Sequence, residues 1–332
     1  MNVLILGDSG FVGCELVKTL IKTHSKASEP LNIVGVDIQT DSYETSLRMD
    51  SGAFYKHIQC DCSSTTNNEL YSIIPTMRPD VIINCAAYVG VDNVKENTLR
   101  VGYNNFNISY HLCNALTQYK RETNDQGYNP LIIFFSSSEV YGNTTNASVE
   151  NHTYELFPET QRSSYALSKL LEENLYNNLK DYEYTNTVIM RLFNIVGETQ
   201  TERFVLPKLL NCANTEEHFV VTPTYRRFCH IDFLTDCVGR IIRQFWKIGK
   251  TTFPHLTNFT SFKEENYVSM LELVELVSMV LDKTIYYQLV LVKPEDIIYR
   301  KSEKPKIPPM FLDHSKDIPL DEIIRRMHES RQ

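Results

Sequence analysis

The stretch VLILGDSGFVG, Val3 to Gly13, decides the fold. An apolar run of strand character stops at Gly7, and apolar residues at helical spacing begin just past Gly10. Each glycine has a physical task in that strand-turn-helix setting. Gly7 makes a tight turn, Gly10 lets the backbone approach a pyrophosphate, and Gly13 lets the helix pack close to the strand. The free amides at the helix start then face the phosphates. Gly7, Gly10, Phe11, Val12 and Gly13 are therefore the first expected contacts of a dinucleotide.

The next strand, NIVGVD, ends at Asp37, where a carboxylate hydrogen-bonds both ribose hydroxyls and repels a 2′-phosphate. NAD is expected over NADP. Asp61 ends the strand after that, placed either to meet the adenine or only to cap the following helix. The alternation continues outward: predicted helices over 11–22, 67–74, 101–119 and 165–179 separate the apolar runs YKHIQCD, DVIINCAA, LIIFFSSS and NTVIMRLF. This βαβ rhythm predicts an α/β fold, a doubly wound parallel sheet of Rossmann type with helices on both faces. After Phe193 the rhythm loosens around Pro207, Pro223, Pro254, Pro294 and the PKIPP stretch. The expected division is an NAD-binding domain over 1–194 with a returning segment near 228–258. A smaller substrate-binding lobe is expected over 195–227 and 259–332.

The chain has 332 residues and a formal net charge of -8, with no basic stretch long enough to track a phosphate backbone. Nucleic acid is not an expected partner, and no apolar run reaches membrane-spanning length. The eight cysteines are scattered, several of them in apolar runs, which reads as reduced thiols in a cytoplasmic setting. Cys60 and Cys62 flank Asp61 without a second ligand pair, so no metal is expected and a buried strand end is. Arg227 is expected to be a surface charge.

Chemistry enters with SSYALSKL. Tyr165 and Lys169, four residues apart, share one helix face, where the ammonium is expected to lower the phenol pKa. A serine from FSSSEVYG, residues 135–142, could hydrogen-bond the same substrate oxygen. Taken together in chain order, GxxGxxG, NCAA (84–87), SSSEVYG (136–142), YALSK (165–169) and RLFN (191–194) resemble the extended short-chain dehydrogenase/reductase family. More closely, they resemble its NAD-dependent epimerases and dehydratases of nucleotide sugars.

The resemblance implies roles. Tyr165 is the base for the sugar 4-hydroxyl, Lys169 tunes it and holds the nicotinamide ribose, and Ser137 shares the 4-oxygen. Ala86 and Ala87 line the cofactor, while Asn194, Arg226 and Arg300 meet the substrate. The triplet Ser137-Ser138-Glu139 is nearer to the Thr-Ser-Glu of GDP-mannose dehydratases and UDP-glucuronate decarboxylases than to simple 4-epimerases, which usually lack the glutamate. Glu139 thus argues for a step at C5, most directly a 4,6-dehydration, with decarboxylation and 4-epimerisation as alternatives. Arg300, four residues after Asp296, resembles the arginine that reaches a sugar carboxylate in decarboxylases. The family also implies a homodimer paired through the helices after Val101 and Tyr165.

Overall fold

The computed structural model describes residues 1–24, 30–40, 53–66, 68–90, 96–142, 147–150, 163–215, 217–293 and 298–332. Its centre is a seven-stranded sheet built from β1 (Asn2–Leu6), β2 (Leu31–Asp37), β3 (Ala53–Gln59), β4 (Val81–Asn84), β5 (Leu131–Ser137), β6 (Thr187–Leu192) and β11 (Leu256–Phe259). The strand order is β11-β6-β5-β4-β1-β2-β3 and every pairing is parallel.

The apolar runs are continuous because both faces are covered. Val3 and Ile5 on β1, Val81 and Ile83 on β4, and Ile133 and Phe135 on β5 all point to one core. That core is roofed by α1 (Phe11–His24) and by α6 (Ile231–Ile248). The alternate residues Leu4, Ile82, Ile132 and Phe134 point to the other core, beneath α2 (Leu70–Met77), α3 (Thr98–Thr123) and α4 (Ser163–Asn178). The period of two along each strand therefore sorts one run of sequence into two separate interiors.

A third core lies apart from these two. It joins α5 (Val205–Thr215), α7 (Met270–Leu281) and α8 (Leu320–Glu329) with β8 (Phe219–Val221) through Leu206, Leu210, Val221, Leu273, Val277 and Ile324. Beside it, β9 (Tyr225–Arg227) sits between β12 (Tyr267–Ser269) and β14 (Tyr299–Arg300). Two short pairs, β7 (Ile195–Val196) with β10 (Cys229–His230) and β8 with β13 (Tyr287–Leu289), complete the fold.

Helix ends differ from the expected ones for local reasons. The second helix begins at Leu70 because Asn68 is engaged in the preceding turn, donating to the Cys62 and Ser64 carbonyls and accepting from the Leu70 amide. Residue 67 lies outside the described residues. The long helix α3 runs on past Tyr119 to Thr123, where Asn124 closes it in the left-handed conformation. Lys120 and Arg121 in that last turn complement the helix dipole.

Candidate active site

The glycine turn takes its expected form. Gly7 has φ +80°, and a Cβ there would stand 2.7 Å from the Ala86 backbone. A Cβ at Gly13 would collide with the Gly7 carbonyl oxygen, so the first turn of α1 can lie against β1 only without a side chain. Phe11 and Val12 pack on the core behind this loop, and Ala86 and Ala87 follow β4 beside it, half-buried. Asp37 ends β2 and accepts from the amides of Ser9 (3.3 Å) and Gln39 (2.9 Å). Burial raises its carboxyl pKa, the Gln39 amide lowers it, and nearby Asp8 raises it further. The Ser9 hydroxyl is buried with no hydrogen-bond partner among the described residues. A cradle that a Cβ would fill, an unpartnered hydroxyl and a carboxylate at the adjoining strand end fit a dinucleotide.

Two acidic residues behave differently. The exposed Asp61 accepts from the amide and hydroxyl of Ser63, at 2.9 and 2.6 Å, so in this structure it caps its own turn. Asp8, which the sequence reading passed over, is buried in the space left by Gly35 and accepts from Tyr55 (2.5 Å) while pairing with His57 (2.9 Å). A buried carboxylate needs such partners, and an acidic residue inside a glycine loop facing two polar residues of the third strand was the signal available.

The second half of the site forms where β5 ends. Ser137 caps the short 3-10 turn Ser138–Tyr141, its hydroxyl accepting from the Glu139 amide at 3.1 Å. Tyr165, from α4, comes near enough to Ser137 for the serine to lower its phenol pKa. Arg300 reaches this turn from β14. It donates to the Ser138 carbonyl at 2.7 Å and the Gly142 carbonyl at 3.1 Å, and its second terminal nitrogen lies 2.9 Å from the Glu139 carboxylate. The register pairs Arg300 with Arg226 on β9, which sets the two arginines side by side on one face of the small sheet. Arg226 bonds the Tyr225 and Ile298 carbonyls, and Asn194 donates to the Arg227 carbonyl at 3.1 Å.

The anchoring of α4 is ionic. Arg191 on β6 holds Glu173 with two bonds, of 2.8 and 2.6 Å, while Ser136 donates to the same carboxylate at 2.5 Å. A bidentate buried pair of this kind fixes helix against sheet and so places Tyr165 over Ser137.

Two expectations are corrected. The Tyr165 phenol is not lowered, and the Lys169 ammonium expected to lower it pairs with Glu172 at 3.3 Å and lies over the Phe134 ring. The phenol is instead pushed up, mainly by burial, with Ser137 opposing and Glu172 and Glu139 adding to the rise. Arg227 is not a surface charge. It is buried, bonded to the Ser261 carbonyl and paired with Glu264 at 2.8 Å, with the Tyr267 ring of the adjoining strand β12 against its guanidinium. Cys60 and Cys62 are both buried at the strand end.

A parallel sheet with a glycine cradle, beside a Tyr-x-x-x-Lys helix set over a serine turn, defines a short-chain dehydrogenase/reductase fold. The model of the NAD-dependent epimerase/dehydratase family matches residues 3–250, and the chain belongs to that family. A UDP-glucose 4-epimerase of Mycoplasma genitalium is 26% identical over 199 residues, 59% of this chain and 53% of that protein. A dTDP-D-glucose 4,6-dehydratase of Dictyostelium discoideum is 24% identical over 255 residues, 73% of this chain and 56% of that protein. The chain thus spans little more than half the length of these two relatives. Among solved structures, UDP-glucuronic acid 4-epimerase from Bacillus cereus, in complex with UDP-glucuronic acid and NAD, superposes with a TM-score of 0.78 at 19% identity, covering 99% of this chain and 98% of that one. The family is NAD-dependent, and no described helix is long and apolar enough to cross a membrane.

Proposed function

We propose that the protein oxidises C4 of a nucleotide-linked hexose and then acts at C5. The observation that carries this reading is the Glu139–Arg300 pair on the turn that Ser137 caps, near Tyr165. The oxidising equivalent at C4 is what NAD supplies when bound. Gly7, Gly10, Gly13, Asp37, Ala86 and Ala87 are the residues that would hold it. Tyr165, in its ionised form, accepts the proton of the 4-hydroxyl, and Ser137 hydrogen-bonds the same oxygen as it becomes a ketone. A 4-ketone acidifies the C5 proton. Glu139, paired with Arg300 at 2.9 Å, takes that proton and passes it to the departing 6-hydroxyl, so that water leaves and a 4-keto-5,6-ene forms. Return to C6 of the hydride that C4 gave up, with a proton at C5, would then make the 4-keto-6-deoxy sugar. Asn194 and Arg226 meet the diphosphate, and Ser138, whose carbonyl accepts from Arg300, precedes Glu139 on the same turn.

The same arginine favours a second reading. If C5 carries a carboxylate, C4 oxidation makes a β-keto acid, and a guanidinium already at Glu139 orients the group that leaves as carbon dioxide. Mass spectrometry after incubation with NAD and UDP-, GDP- and dTDP-linked hexoses and hexuronates separates the two. Loss of water marks the dehydratase and loss of carbon dioxide the decarboxylase. No mass change with any sugar, together with an NMR-visible 4-epimer, sinks both.

A further inference from the structure

The ammonium of Lys169 lies 3.3 Å from one Glu172 carboxylate oxygen and 3.4 Å from the other, and both side chains are sealed from solvent. Ser109 on α3 donates to the same carboxylate at 2.6 Å and accepts from Asn84 (3.1 Å) and from Tyr176 (3.4 Å). Asn84 in turn accepts from the Ala86 amide at 3.1 Å. A continuous polar chain thus joins Lys169 to the backbone against which Gly7 packs. A buried carboxylate is costly to keep unless it is paired and hydrogen-bonded, and Glu172 has both kinds of partner.

We propose that Glu172 is a positioning residue that holds and neutralises the Lys169 ammonium, and so sets how much of that charge reaches the Tyr165 hydroxyl. The proposal rests on the reading of Tyr165 as the base. The groups facing Tyr165 are Ser137 from β5, Glu139 from the 3-10 turn and Glu172 from its own helix. Those around Glu172 are Lys169, Glu173 and Tyr176 on α4, with Ser109 and Cys113 on α3. Lys169 also faces the Phe134 ring on β5 and Cys85 after β4. Within this set Lys169 is the cation, and Glu172 is the carboxylate bound to it. Removing the carboxylate both unmasks the cation and withdraws a negative charge from the phenol, and the two effects have the same sign.

The test is an ultraviolet titration of one phenol by double difference. The wild type minus Tyr165→Phe is compared with Glu172→Gln minus the Glu172→Gln, Tyr165→Phe double variant, which isolates Tyr165 among 19 tyrosines. Glutamine keeps the shape and an acceptor for Ser109. The phenol should titrate about one to three pH units lower in the Glu172→Gln background; an equal or higher midpoint overturns the proposal. Glu172→Asp, which retracts the charge by one methylene, should give a smaller fall and decides the matter if the glutamine variant does not fold by circular dichroism. Here too an unmoved midpoint overturns it. Neither titration depends on substrate, whereas full turnover by Tyr165→Phe would remove Tyr165 as base and leave the measured coupling standing.

Discussion

The Arg300 guanidinium lies 2.9 Å from the Glu139 carboxylate and, through its other terminal nitrogen, closes the turn that carries Glu139 by donating to the carbonyls of Ser138 and Gly142. One side chain from β14 therefore both shapes the end of β5 and balances the charge exposed there. The pair is mostly shielded, which makes its loss costly in two separable ways.

Replacing Arg300 by alanine removes a buried guanidinium from Glu139 and the clasp from the turn. Breaking a buried pair of this kind costs about 3 kcal/mol, to be read from urea unfolding. Product formation at C5 should fall by about 10²–10⁴, the range for a lost acid-base group, while NAD binding by calorimetry stays within a few-fold. Arg300→Ala with unaltered turnover would count against any role at C5. Glu139→Gln separates the two readings further, since it stops dehydration but leaves decarboxylation largely in place.

The Arg191–Glu173 pair is a structural lock. Glu173→Gln removes the carboxylate from a fully buried guanidinium, which keeps its bonds to Tyr141 and the Glu150 carbonyl, and should cost about 3 kcal/mol by denaturant unfolding. The same variant should lower turnover, because Tyr165 rides on the helix that the pair fixes.

Gly7→Ala forces a side chain at φ +80° into the Ala86 backbone at 2.7 Å. Strain of about 1–3 kcal/mol, felt where the cradle meets a pyrophosphate, corresponds to roughly a tenfold or greater loss of NAD affinity by calorimetry.

Asp37 gives a pH signature. Burial raises its carboxyl pKa, so protonation begins above the ordinary aspartate range, near 4 in model peptides. The ionised form accepts the ribose hydroxyls, so NAD affinity should be full at neutral pH and fall as the solution is acidified through the raised value. Asp37→Asn should bind NAD more weakly, flatten this dependence and relax discrimination against NADP. Calorimetry from pH 7 downward checks all three.

Association through α3 and α4 should produce a dimer. Leu99 is 89% exposed and Leu171 55% exposed, and the neighbouring Tyr103, Tyr110 and Leu167 extend one apolar face across both helices. Light scattering should report two copies at micromolar concentration, and Leu171→Glu should return the monomer with the fold intact.

What the sequence determined by itself follows from local periodicity. Strand, turn and helix around Gly7, the order of βα units and the Tyr165–Lys169 spacing are all short-range patterns, and each has its counterpart in the structure. Tertiary structure alone decided which partner each charge takes. Lys169 and Glu172 are three positions apart on a helix, a spacing usually found on solvated faces, and only the covering of α4 by α3 and β5 turns them into a buried pair. Arg227 reads as one of two adjacent arginines until the pairing of β9 sets it against Tyr267 of β12 and sets Arg226 beside Arg300 of β14. Asp61 left two roles open, and the structure adds a local one, the turn it makes with Ser63. Charge partners are set by long-range packing, where burial raises the cost of an unpaired group, and no local pattern in the chain encodes that cost.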